Sequence, residues 1–147
     1  MELPQAGAAA RAAGLNGALF PWQSGSDGRD ETPTLLFNPR TNSWRPDHSR
    51  LQRHVGLAIA YSIIEYAEAS GDETFLADEG VDLIVEIVRC FASMAAYDSA
   101  ADRYDIDSVM GPDEFHDGYP ERPGSGSETT LTPISCSPGR FVVAPLF

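Results

Sequence analysis

Two long runs of apolar residues at helical spacing constrain the fold more than any other feature of this sequence. The first run begins near Asp47 and ends at Gly71, and the second begins near Asp72 with a break expected around Gly80. The stripe positions recur every three or four residues, at Leu51, Val55, Ala58, Ile59, Ser62, Ile63 and Tyr66, then at Leu83, Ile84, Ile87, Val88, Phe91, Ala92 and Ala95. Because an amphipathic helix buries its stripe against another element, the pattern predicts helix-on-helix packing.

The segments around these two helices predict only small elements. The Ala-rich residues 4–13 favour a helix, which Gly14 and Gly17 would end. The stretch TLLFNPRTNSWRP, residues 34–46, holds two apolar runs separated by Asn and Pro, a composition typical of a β-hairpin. The polar stretch YDSAADRYDID, residues 97–107, indicates a turn and a short extended piece. The predicted fold class is therefore all-α with one small β-hairpin.

Composition limits the kinds of partner that we expect. The 147 residues suit one domain, and a formal net charge of -12 would repel nucleic acid and anionic membranes. Cys90 and Cys136 are too few for a disulfide framework, and the first residues lack the pattern of a secretory signal. We therefore expect a soluble cytoplasmic protein that binds neither nucleic acid nor membrane, and small neutral substrates remain open.

The stretch VMGPDEFHDG places two carboxylates directly after a Gly-Pro turn. Asp113 and Glu114 would suit the first turn of a helix, where acidic side chains complement the positive end of the helix dipole. Alternatively, the turn holds one carboxyl group at a cavity rim, where it could protonate a leaving group. Spacing alone favours the structural interpretation.

Trp22 and the histidines carry a similar ambiguity. Trp22 beside Pro21 could pack within a loop, or its flat face could stack on a sugar ring. His54 sits next to the apolar stripe and suits the edge of a core as well as a site. His48 and His116 are too scattered to indicate a metal site, and no Gly-rich stretch has the pattern of a phosphate-binding loop.

Three stretches in this order resemble the catalytic domain of glycoside hydrolase family 65, which contains maltose, trehalose and kojibiose phosphorylases and related hydrolases. They are GALFPWQSGSDGRDET, RLQRHVGLAIAYSIIEY and VMGPDEFHDGYPERPG. The resemblance covers residues 3–124 and implies part of an (α/α)6 barrel, so we assign residues 1–124 to a partial catalytic domain. The alternative is a non-catalytic α-helical fragment that binds carbohydrate or a protein partner.

The resemblance also implies a chemistry. Members cleave an α-glucosidic disaccharide with inversion, by phosphorolysis or hydrolysis, and Glu114 matches their general acid. Trp22, Asp113, His54 and His116 would bind substrate. No metal or organic cofactor is implied, inorganic phosphate would be the co-substrate, and intact members would be homo-oligomers.

The sequence departs from the family at both ends. It lacks the family's preceding β-sandwich and the later phosphate-binding segments, so we expect this chain to be inactive as it stands. After Gly124 the family continues into a helix opening Asp-Asn-Asn-Ala-Tyr-Thr-Asn, where this chain reads SETTLTPISCSPG. The residues from Glu128 onward can be written as all the codons that encode them. When the bases are regrouped in a shifted reading frame, the new codons permit the family's residues. We therefore predict that residues 125–147 form a frame-shifted or disordered tail.

Overall fold

The computed structural model describes residues 2–100, 102–110 and 127–129, and shows a helix-rich fold with two small antiparallel sheets. The helical elements are α1 (Leu3–Ala12), a 3-10 turn (Ser49–Leu51), α2 (Val55–Ser70), α3 (Glu73–Phe75), a π-helical turn (Leu76–Gly80) and α4 (Val81–Met94). The strands are β1 (Leu35–Asn38), β2 (Ser43–Pro46), β3 (Ala95–Asp98), β4 (Arg103–Val109) and β5 (Ser127–Thr129). No helix in the described ranges is both long enough and apolar enough to span a membrane.

Helix α1 and the segment that follows it are fastened to the middle of α4. Ala18 donates its backbone N–H to the carbonyl oxygen of Glu86 at 2.9 Å. Gly17 makes this approach possible: its φ is +69°, and a Cβ atom there would collide with Glu86 and lie 2.7 Å from the amide nitrogen of Cys90. Only glycine adopts this conformation without strain and leaves room for the helix backbone. The sequence predicted Gly17 as a helix stop, and its larger role is this contact.

Helices α2 and α4 pack together as their stripes predicted. Ile87 is fully buried, and a Cβ atom on Gly56 of α2 would lie 3.4 Å from its side chain. Gly71 adopts a left-handed conformation and ends α2, which confirms the predicted stop. The interruption expected around Gly80 is a π-helical turn that ends at this residue and connects α3 to α4, so the α-helical winding changes there but the chain does not leave the helix. Gly80 is buried there, where a Cβ atom would lie 2.8 Å from Ile63.

The predicted β-hairpin is confirmed as β1 and β2. The strands are antiparallel, with Phe37 opposite Trp44, and these two rings lie 5.3 Å apart between centroids. The backbone N–H of Asp47 donates to the carbonyl oxygen of Thr34 at 2.9 Å and closes the base of the hairpin. Leu36 and Trp44 are more than half exposed although they lie on opposite faces. The hairpin therefore buries little of its apolar surface within the described chain.

A second sheet of order β3-β4-β5 corrects the all-α prediction. Ala95 was expected to continue the stripe of α4, but it ends the helix in an extended conformation and begins β3. Asp102 has a positive φ of 51° between β3 and β4. Ile106 and Val109 of β4 are buried, and the pairing of β4 with β5 shifts register between them. Strand β5 falls within the predicted tail; residues 130–147 lie outside the described ranges, and the prediction of a frame shift stays a prediction.

Candidate active site

Trp22 and His54 face each other although they are distant in sequence. Their ring centroids are 5.4 Å apart with an interplanar angle of 54°. Trp22 is 37% exposed, so part of its ring remains open to a ligand. The structure thus brings together the two described residues that the resemblance assigned to substrate binding.

The loop that carries Trp22 is held by hydrogen bonds next to the ring. The N–H of Gln23 donates to Oγ1 of buried Thr32 at 3.1 Å, and the N–H of Thr32 donates to Oδ1 of Asp30 at 2.9 Å. The N–H of Glu31 also donates to the carbonyl oxygen of Gln23 at 3.0 Å. These bonds connect the two sides of the loop and fix the position of Trp22.

His54 precedes the first turn of α2, in a turn that buries polar groups. Its carbonyl oxygen accepts from the N–H of Ala58 at 3.0 Å. Its ring nitrogen Nδ1 is buried, as is Oε1 of Gln52, and neither has a hydrogen-bond partner within the described ranges. A buried polar atom without a partner costs roughly 1–3 kcal/mol, so a partner for these atoms would stabilise the site.

Arg53 lies between these two residues as a half-buried cation. Burial lowers the pKa of its guanidinium, the charge of Arg50 lowers it further, and Cys90 and Asp30 act in the opposite direction. Burial also raises the pKa of the Cys90 thiol, which keeps that sulfur neutral near pH 7. No carboxylate of a described residue forms an ion pair with Arg53. Asp30 therefore acts on the charge of Arg53 from beyond ion-pair distance.

Gln52 and Arg53 were not among the site residues predicted from the sequence. They form, with His54, three polar residues in a row directly before Val55, the first residue of α2. Such a run at the start of a helix could have drawn attention to them. Nothing in the sequence indicated that Gln52 would be buried, with only 6% exposed, because its burial depends on tertiary packing.

The remaining predicted site residues, Asp113, Glu114 and His116, lie outside the described ranges. Their flanking residues are described: the N–H of Met110 donates to the carbonyl oxygen of Leu51 at 2.9 Å, and Val109 pairs with Ser127 across β4 and β5. The segment that carries the carboxylates therefore starts beside the turn that leads to His54. Within the described ranges, no group of three or more His, Cys, Asp or Glu side chains is arranged to hold a metal ion.

Comparison with known proteins identifies the family. Residues 1–122 match the glycosyl hydrolase family 65 central catalytic domain. An uncharacterized glycosyl hydrolase of Mycobacterium tuberculosis is 49% identical over 119 residues, 81% of this chain and 9% of that protein. Trehalose 6-phosphate phosphorylase of Lactococcus lactis is 42% identical over 84% of this chain and 16% of its own length. Kojibiose phosphorylase of Escherichia coli is 38% identical over 78% of this chain and 15% of its own length.

The chain thus spans less than a fifth of the length of these curated relatives. Their names describe both glycosyl hydrolases and phosphorylases, so the shared region belongs to carbohydrate-active enzymes. From the match over residues 1–122 and from these relatives, we conclude that the chain belongs to glycosyl hydrolase family 65.

Proposed function

We propose that the chain forms part of an inverting phosphorylase that cleaves an α-glucosidic disaccharide, with Glu114 as the general acid. The observation that carries this proposal is the Trp22–His54 pair, in which a partly exposed aromatic ring lies beside a histidine whose buried Nδ1 atom has no hydrogen-bond partner among the described residues. Sugar sites combine these two features, since the apolar face of a pyranose stacks on an aromatic ring while its hydroxyl groups form hydrogen bonds. The (α/α)6 barrel is part of the same proposal, and helix packing between α2 and α4 supports it.

The chain connection supports a place for Glu114 near this pair. Glu114 follows Met110 by four residues, and an extended chain spans at most about 3.6 Å per residue, so its Cα atom lies within roughly 15 Å of the Met110 amide. That amide is hydrogen-bonded to Leu51, three residues before His54. The chain connection is therefore compatible with a carboxyl group near the turn that leads to His54.

The proposed reaction needs one proton donor and one nucleophile. Glu114 donates its proton to the glycosidic oxygen as the bond from that oxygen to the anomeric carbon breaks, and the departing sugar leaves with a free hydroxyl group. An oxygen of inorganic phosphate attacks the anomeric carbon from the opposite face and forms a sugar 1-phosphate of inverted configuration. Phosphate is already anionic, so this route needs no second carboxylate as a base. The phosphorylase names among the relatives favour it over hydrolysis.

Because this chain is expected to be inactive by itself, the test uses a full-length protein that contains this segment. It supplies kojibiose, trehalose or maltose with phosphate and measures released sugar 1-phosphate. In the isolated chain, a Trp44→Phe background lets the fluorescence of Trp22 report sugar binding. We expect Glu114→Gln to lower turnover by at least about a hundredfold, the usual size of a general-acid effect, and to leave sugar binding intact. Glu73→Gln, at an exposed carboxylate in α3, serves as the matched control. Turnover that survives Glu114→Gln contradicts the assignment of the acid. Sugar binding without turnover in the full-length protein favours a non-catalytic binding module.

A further inference from the structure

The β1–β2 hairpin has one entirely apolar face. Leu35 lies opposite Pro46 and Phe37 lies opposite Trp44, and alternate residues of a strand point to the same side of a sheet. All four residues are exposed, and neither strand packs extensively against a helix within the described ranges. These four residues, the hairpin face, therefore form an apolar patch about 13 Å long that is available for contact.

An open apolar groove runs along α2. Its volume is about 400 Å³, and one end is formed by Tyr66 and Phe75, whose rings meet edge to face at 5.0 Å between centroids. Along α2 the groove extends from Val55 to Tyr66, a helical rise of about 16 Å. The lining residues of this α2 groove are Val55, Ala58, Ile59, Ser62, Ile63, Tyr66 and Phe75. The hairpin face is therefore short enough to lie along it.

The hairpin and the α2 groove also carry opposite charges. Residues 32–46 contain Arg40 and Arg45 and no acidic residue. Residues 55–80 contain no basic residue and six acidic ones: Glu65, Glu68, Asp72, Glu73, Asp78 and Glu79. The hydroxyl group of Tyr66 donates to Oδ2 of Asp72 at 3.3 Å, which places a carboxylate beside the end of the groove. Because none of these charges forms an ion pair within the described ranges, they remain available to an external partner.

We propose that the hairpin face of one copy of this chain docks in the α2 groove of a second copy. Both surfaces are apolar, and their charges are complementary. Two chains of net charge -12 repel each other in general, so the cationic hairpin is the part of one copy that the acidic groove of another would accept. The contact is head-to-tail, because it joins two different surfaces. This inference is independent of the proposed reaction.

The size of the hairpin face predicts weak association. A stable interface buries about 800 Å² on each partner, and four side chains of a hairpin cover less than that. We therefore expect self-association in the micromolar range or weaker. Trp44 would be the main anchor, because it is the most exposed ring of the hairpin face and large aromatic side chains dominate small interfaces.

The experiment measures the mass of the full 147-residue chain by sedimentation velocity over a concentration series. We expect Trp44→Ser, which removes the anchor, and Ser62→Lys, which places a long charged side chain in the groove, each to weaken association by at least about tenfold. Leu36→Ser is the control for the hairpin, because Leu36 is equally exposed but lies on the opposite face. Ala69→Lys is the control for the groove, because Ala69 is exposed in α2 and does not line it.

A mixture of the two variants gives the decisive result. The Trp44→Ser chain keeps an intact α2 groove, and the Ser62→Lys chain keeps an intact hairpin face. Each variant alone should remain monomeric, whereas the mixture should form a one-to-one complex with the affinity of the unmodified contact. Circular dichroism verifies that both variants retain native helix content. If both are folded and the mixture does not associate, the proposal is overturned.

Three further outcomes would also overturn it. One is an unmodified chain that remains monomeric at every concentration. Another is association that persists in both Trp44→Ser and Ser62→Lys, because the copies would then meet through other surfaces. The last is a loss in Leu36→Ser as large as that in Trp44→Ser, which would show that the hairpin face is not the part that docks. None of these measurements involves catalysis, so failure of the proposed function would leave the association untouched.

Discussion

The helical core and the β1–β2 hairpin bury their apolar side chains to very different extents. In the core, Ile87 is fully buried and Cys90 is 1% exposed. In the hairpin, Leu36 is 61% exposed and Trp44 is 66% exposed. Helices α1, α2 and α4 thus supply one another's contacts, whereas a two-stranded hairpin with exposed faces has little stability of its own. The comparison indicates that the helices share a small buried centre around Ile87 and Cys90, whereas the hairpin exposes most of its apolar surface in the described part of the chain.

The largest effect on stability is expected at the close contact between Gly17 and the backbone of α4. Gly17→Ala would force a Cβ atom into the backbone of α4 near Glu86 and Cys90, at a residue with φ of +69°. We expect the free energy of unfolding to fall by about 4 kcal/mol or more, measured by urea denaturation followed by circular dichroism. Gly14→Ala is the matched control: its φ is +73°, but a Cβ atom there meets nothing within 4 Å. We expect that variant to lose only about 1–2 kcal/mol from backbone strain. Similar losses in both variants would show that the contact with α4 is unimportant.

The second prediction concerns the stability that the buried side chain of Ile87 in α4 contributes. Ile87→Ala removes a fully buried side chain and should lower the free energy of unfolding by about 2–5 kcal/mol. Val88→Ala, at the adjacent and 52% exposed position, should cost less than about 1 kcal/mol in the same assay. If the two variants lose equal stability, the helices do not pack as described.

The smallest effect belongs to the hairpin. Trp44→Ala removes the cross-strand contact with Phe37, an interaction of about 0.5–1.5 kcal/mol. Because the hairpin shares little buried surface with the helices, we expect amide exchange to accelerate in β1 and β2 while the urea midpoint of the helices stays unchanged. A lower urea midpoint for the helices would mean that the hairpin and the helical core unfold together. The hairpin would then not be an independent, less stable region.

The sequence predicted those features that depend on local pattern. Periodicity predicted α2 and the buried stripe around Ile87, and turn residues between Asn38 and Ser43 predicted the hairpin. The sheet of β3, β4 and β5 was not predicted, because its strands contain many charged residues and its formation depends on distant pairing. The π-helical turn was not predicted, because the spacing of apolar residues does not distinguish a single π-helical turn from an α-helical one.

The candidate site could be predicted only in part. The Trp22–His54 contact joins two elements that are far apart in the chain, and only the family resemblance related these residues before the fold was known. Arg53 and Gln52 were missed because a polar residue before a helix is ordinary in sequence, while its burial is a property of the tertiary structure. For Glu114, the sequence and the chain connection at Met110 remain the basis of a proposal.

The π-helical turn at Leu76–Gly80 has a consequence for the tolerance of length changes. Each residue advances an α-helix by about 100°, and a π-helical turn absorbs one additional residue without rotating the helix beyond it. Deleting one residue inside this turn would leave Phe75 and Ile87 oriented toward the same neighbours. Deleting one residue in α4 before Ile87 would swing that side chain out of the core, so homologues should vary in length at the wide turn and keep a constant count from Val81 onward.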